Sequence, residues 1–85
     1  MTELEFEIID ELYFVTSYHD IGTALMLTDQ ELCTSLKDLL LRGYVKAYYP
    51  DQDTEIPYDE THFSKNCKDY FFLATKAGLI VHNSR

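Results

Sequence analysis

The chain has 85 residues, 46% of them hydrophobic and 14% aromatic, with a formal net charge of −8. That length gives one small domain with a modest core and marginal stability, and no apolar run approaches the roughly 20 residues that span a bilayer. A field of this sign repels phosphate backbones and anionic membrane surfaces, which weighs against both as partners.

The acids are unevenly spread. Residues 1–27 hold six acids and no base, and residues 51–69 hold six acids against Lys65 and Lys68. Glu3, Glu5 and Glu7 stand where a secretory leader carries positive charge. The two cysteines, Cys33 and Cys67, are far apart in sequence. Together these features predict a cytoplasmic protein with reduced thiols.

Residues 3–18 read as a first helix. Leu4, Ile8, Leu12 and Val15 form one stripe that Ile9 and Tyr13 widen, and the early glutamates suit the helix dipole. Phe6, Phe14 and Tyr18 fall outside the narrow stripe, so either the helix is broadly buried or they belong to a subunit interface. A turn over 16–22 leads to a short second helix at 20–26, with Ile21, Leu25 and Leu27 turned inward.

Residues 29–42 carry the clearest signal in the chain. Thr28 and Glu31 have the spacing of a capping box. Leu32, Leu36, Leu39 and Leu40 form one apolar stripe, Arg42 suits the last turn, and Gly43 can end the helix in a left-handed conformation. Residues 44–49 then read as a strand that stops at Pro50. Tyr44, Lys46 and Tyr48 share one face of it, and Val45, Ala47 and Tyr49 the other. Residues 50–69, polar, acidic and holding both prolines, read as a long loop. Residues 70–74 form a returning strand, and Thr75 caps a final short helix at 76–82. No internal repeat or low-complexity tract is present.

The order helix, short helix, helix, strand, loop, strand is that of the winged helix-turn-helix. The stretch from Leu27-Thr28 to Gly43-Tyr44-Val45 resembles the second half of that motif in bacterial winged-helix regulators of the multiple-antibiotic-resistance and phenolic-acid types. Phe72-Leu73-Ala74-Thr75-Lys76-Ala77-Gly78 resembles the returning wing strand and the Leu-Thr-x-x-Gly signature after it, with Ala74 in the leucine position. The resemblance covers roughly residues 4–80. It implies an α+β domain spanning 1–85, with a three-helix core, an antiparallel hairpin wing and residues 50–69 as a long acidic wing loop.

The resemblance also makes residues 29–42 a recognition helix laid in the major groove. Asp29, Gln30, Cys33, Thr34 and Lys37 occupy its outward positions. Gln30, Thr34 and Lys37 would read bases, and Lys46, Lys65, Lys68 and Lys76 would hold phosphates. Asp29, Glu31 and Asp38 do not suit a helix entering that groove. The wing tip, where the family carries bases, here carries Asp51, Asp53, Glu55, Asp59 and Glu60.

Other chemistry is thinly represented. Asp51-x-Asp53-x-Glu55 has the spacing that opens a calcium loop, but Ile56 and His62 stand where glycine and a bidentate glutamate are needed. His19, His62, His82, Cys33 and Cys67 have no zinc-site spacing, and His62 with Cys67 is the nearest approach to one. A phosphate loop and a nucleophile elbow are both missing, and no cofactor or metal is expected.

Two functions follow. The first is a non-enzymatic regulatory or interaction module that docks a protein partner or self-associates as a homodimer. It would use Phe14, Tyr18, Leu40 and Leu41, with the acidic loop as rim. The second is a dimeric DNA-binding transcriptional regulator using the seven residues named above. Electrostatics favours the first and fold analogy the second.

Overall fold

A computed structural model describes residues 1–84; Arg85 lies outside the described residues. Helix α1 (Glu3–Asp10) opens with a capping box, in which Thr2 Oγ1 accepts from the Glu5 amide and Glu5 Oε1 accepts from the Thr2 amide. The helix is half the length expected. Residues 13–17 are aromatic, β-branched and small, a composition that favours extended backbone over helix. Part of that stretch finds a sheet partner: strand β1 (Thr16–Ser17) pairs with Phe72 and Phe71. The Thr16 hydroxyl lies within donating distance of the Glu11 and Phe14 carbonyls, at 3.0 and 2.8 Å, and anchors the turn between. Leu12 stays in the core outside the helix, and its carbonyl accepts from the Ala74 amide at 2.9 Å.

Helix α2 (Tyr18–Leu25) starts two residues earlier than expected because Ser17 caps it, accepting from the Asp20 amide. It ends at Met26 in the left-handed conformation, φ 56°. Helix α3 (Asp29–Leu41) has the predicted capping box and buries Leu32, Leu36 and Leu39, with Leu40 packed at the core's edge. Arg42 caps its C-terminus and Gly43 turns the chain with φ 77°.

Strand β2 (Val45–Tyr48) alternates as predicted, with Val45 and Ala47 buried. It pairs with β3 (Glu55–Ile56) and with β4 (Phe71–Ala74), so the sheet is antiparallel with order β1-β4-β2-β3. Residues 50–69 are therefore not a structureless loop. Asp51 Oδ1 accepts from the Asp53 amide and the Thr54 hydroxyl and folds a tight turn between β2 and β3. Asp59 then caps helix α4 (Glu60–Asn66), accepting from the His62 amide at 2.9 Å. A 3-10 turn (Cys67–Asp69) leads into β4. Phe63 and Cys67, one helical turn apart, anchor this insertion in the core.

Helix α5 (Lys76–Asn83), capped by Thr75, closes the chain against α1. Tyr13 donates to Asn83 Oδ1 at 3.1 Å, and His82 stacks on Phe6 at 4.1 Å. The result is an α+β fold with five α-helices and a four-stranded antiparallel sheet among the described residues. Ile8, Ile9, Leu12, Ile21, Leu32, Leu36, Leu39 and Phe72 are its fully buried centre.

Candidate functional site

The outward face of α3 is where the sequence concentrates candidate contacts. Asp29, Cys33 and Lys37 recur every four residues and so form one line along the helix. Each meets a side chain of the insertion. Asp29 Oδ2 lies 3.2 Å from Lys68 Nζ, Cys33 Sγ lies 2.9 Å from Cys67 Sγ, and Lys37 Nζ donates to Glu60 Oε1 at 2.9 Å. The partners' numbers fall as those on α3 rise, so α4 and its 3-10 turn run back along α3 in the opposite direction.

Below this seam sits Tyr18. It is only 5% exposed, so it belongs to the core and not to an exposed interface. Its hydroxyl donates to Asp29 Oδ1 at 2.8 Å and lies 3.3 Å from Cys33 Sγ. Burial first, then the contacts with Cys33 and Asp29, push the Tyr18 hydroxyl far above the ordinary phenol value. The Asp29 carboxyl moves the opposite way, held down by the Tyr18 hydroxyl first and by Lys68 second. The Cys67 thiol is pushed up to about 12, by burial and then by Cys33 beside it. Glu60 raises Lys37, and Asp29 raises Lys68. The seam is thus a set of mutually satisfied groups, with cations held charged and the Cys67 thiol held neutral.

The other candidates scatter. Gln30 and Thr34 stay exposed on α3 beside the seam. Lys46 faces Glu55 across the hairpin at 3.8 Å. Lys65 on α4 and Lys76 at the start of α5 are exposed and make no ion pair among the described residues. Three of the five lysines assigned to DNA are therefore neutralised by carboxylates.

The proposed interface also divides. Phe14 is 83% exposed and Leu41 60%, while Leu40 leans on the core. Arg42, next to Leu41, pairs with Glu5 in the first turn of α1, whereas Phe14 follows that helix's other end. Of the four residues, Phe14 and Leu41 are thus the two exposed ones.

His62 and Cys67 do not converge, since His62 Nδ1 lies 2.5 Å from the Tyr70 hydroxyl while Cys67 faces Cys33. His62, Tyr49, Asp59 and Lys65 help to line a cleft of about 560 Å³ beside the hairpin.

The residues that sequence reasoning passed over are Glu60, Phe63 and Cys67 in their role as a cover for α3. Their signal was present: Asp59 has the chemistry of an N-cap, and Phe63 and Cys67 stand at helical spacing behind it. The acidic composition of the segment hid it. Comparison with protein-family models, curated protein sequences and solved structures returns no match to this chain.

Proposed function

We propose that this chain is a winged helix-turn-helix module that acts without catalysis by docking proteins and does not read DNA. Support for the winged-helix part comes from chain order and strand order together. A short strand between α1 and α2 pairs with β4, and β4 pairs with β2 after α3, so the strands lie in the order β1-β4-β2 beside three helices. The hairpin tip is enlarged by β3 and α4. The Ala74-Thr75-x-x-Gly78 turn caps α5.

One observation carries the choice of partner. The line Asp29, Cys33, Lys37 that a recognition helix would offer to a groove is bridged along its length by Lys68, Cys67 and Glu60. For Asp29, Cys33 and Lys37 to enter the major groove, the insertion that Phe63 and Cys67 anchor in the core would have to move aside, which leaves Gln30 and Thr34 beside the seam as the exposed positions. The net charge of −8 adds a repulsive field. It also favours a basic protein surface as partner, with Phe14 and Leu41 as exposed contact points.

The test is fluorescence anisotropy of a labelled mixed-sequence duplex at low salt, with protein up to about 100 µM, where non-specific complexes form. The expected result is no change in anisotropy. Binding that weakens steeply with added salt would overturn the proposal. It would make the chain a DNA-binding regulator acting through Gln30, Thr34, Lys65 and Lys76. The docking surface has its own check. Leu41→Asp is expected to abolish whatever self-association sedimentation detects in the native chain or, for a monomer, its binding to a captured partner. Unchanged association in both would remove Leu41 from the surface.

A further inference from the structure

The contact between Cys33 and Cys67 goes beyond the docking role and does not depend on it. The two sulfurs, 34 positions apart in sequence, lie 2.9 Å from each other with one S–H between them as donor. Both are free thiols. A disulfide needs a separation of about 2.05 Å, so the two side chains must close a gap of about 0.9 Å between them.

Their surroundings differ in a way that assigns roles. Cys33 is half-buried and Cys67 is only 5% exposed. A cleft of about 240 Å³, lined by Thr34, Lys37, Phe63 and Ser64 as well as both cysteines, leads from solvent to the pair. A thiol reagent therefore reaches Cys33 first.

We propose that Cys33 and Cys67 are a redox-active pair that a low-molecular-weight disulfide oxidises to an intramolecular disulfide, stapling the 3-10 turn after α4 onto α3. The exchange balances in two steps. Cys33, as its thiolate, attacks one sulfur of the reagent R–S–S–R. A Cys33–S–S–R bond forms, and R–S⁻ leaves to take up a proton. Cys67 then loses its proton to solvent and attacks Cys33 Sγ, expelling the second R–S⁻, which is protonated in turn. Two protein thiols are oxidised by two electrons, and the reagent is reduced to two R–SH.

The second step is slow for an isolated thiol as weakly acidic as Cys67, which burial and the Cys33 contact hold neutral. Placement offsets this, because the attacking and attacked sulfurs are already in contact before the first step. The product would close a loop through β2, the hairpin and α4. Its effect on the unfolded chain is correspondingly large.

The experiment uses the full chain in glutathione buffers of graded disulfide content. Free thiols are alkylated under denaturing conditions and intact mass is read. In excess glutathione disulfide the native chain is expected to lose two hydrogens, take up no alkyl label and stay free of covalent dimers. Its melting temperature should rise by roughly 10 °C or more over the reduced form. Half-oxidation in urea should need a buffer on the order of 100-fold more oxidising than half-oxidation of the folded chain.

Two variants resolve the steps. Cys67→Ser is expected to stop at one glutathione adduct, and Cys33→Ser to take up none. Three outcomes for the native chain would each overturn the proposal: two free thiols in excess glutathione disulfide, a persistent glutathione adduct, or an interchain disulfide. Equal oxidation of folded and urea-unfolded chain would do the same. The native-chain measurements stand even if a serine variant fails to fold.

Discussion

A methyl group on Gly78 would sit 2.1 Å from the carbonyl oxygen of Tyr44. The atom it meets is main chain, so no side chain can rotate away to relieve the contact. It arises because α5 starts directly on the junction between α3 and β2. Thr75 Oγ1 donates to the Gly43 carbonyl at 2.6 Å, the Thr75 amide donates to the Tyr44 carbonyl at 3.0 Å, and Thr75 Oγ1 accepts from the Gly78 amide at 3.1 Å. One threonine thus caps its own helix and ties it to the turn after α3. The Thr-x-x-Gly spacing, read from sequence as a family signature, has this as its physical content. Gly78→Ala is expected to destabilise the fold by about 2–4 kcal/mol through overpacking and backbone displacement. Urea unfolding measures it, and Gly22→Ala is the matched control. A methyl at Gly22 meets only Leu32 Cδ2 at 3.4 Å inside α2. There the better helix propensity of alanine is expected to leave stability unchanged or raise it by up to about 1 kcal/mol. Similar losses at both glycines would remove the close approach as the explanation.

At the scale of elements, what was legible in the sequence was what is decided locally. The α3 cap, stripe and glycine stop lie within 16 consecutive residues, 28–43, and all three stand where the pattern puts them. The end of α1 was not legible because β1 is set by Phe71 and Phe72, more than 50 positions away. The apolar period of 3.6 runs on through residues that tertiary pairing draws into a strand. Helix α4 was missed for the opposite reason: its fold is local, but composition argued for a loop, and Phe63 and Cys67 are its two buried anchors. Of the candidate site, the outward line of α3 was legible and its cover was not. Nothing at Lys37 or Asp29 announces Glu60 or Lys68.

The seam between α3 and α4 also predicts how stability depends on pH. The thiol of Cys67 ionises at an ordinary value of 9.0 in the unfolded chain and at about 12 in the fold. A group raised in this way contributes its full stabilisation below the unfolded value, and that stabilisation is lost as pH rises toward the folded one. The raised Tyr18, Lys37 and Lys68 act in the same direction at higher pH. With reductant present, the unfolding free energy is therefore expected to fall from about pH 9 upward. Cys67→Ala should flatten the onset of that fall, around pH 9, where the thiol is already half-ionised in the unfolded chain and the phenols only about a tenth. An unchanged slope in that variant would place the alkaline sensitivity elsewhere. On the acid side the sign reverses. Asp29, Glu31 and Asp51 are lowered in the fold, so their contributions hold above the ordinary carboxylate range and fade as pH drops below it.

For the whole molecule, charge decides more than any single pair. The 15 acids face seven Lys and Arg residues. Lys37, Lys46, Lys68 and Arg42 are already spent on Glu60, Glu55, Asp29 and on Glu5 with Asp38. The remaining acids of α1, α2 and the hairpin repel one another across a small body, and that repulsion opposes the folded state. Added salt has two effects of opposite sign. It screens the long-range repulsion, which raises stability, and it weakens the exposed ion pairs, which lowers it. Exposed pairs are worth about 0–1 kcal/mol each before screening. The Glu5–Arg42 pair is screened least because Glu5 is buried. The surplus of −8 therefore dominates. The melting temperature is expected to rise by a few degrees as the Debye length shortens from about 30 Å to about 8 Å, between roughly 0.01 and 0.15 M potassium chloride. Circular dichroism melts across that range measure it. A falling melting temperature would mean that the pairs along α3 hold the fold together more strongly than the net charge opposes it. In that case the cover over α3 would owe more to its ion pairs than to Phe63 and Cys67, and it would loosen with salt. A rising one leaves the insertion anchored by burial, so the line Asp29, Cys33, Lys37 is expected to stay bridged at the low ionic strengths where non-specific DNA binding is strongest.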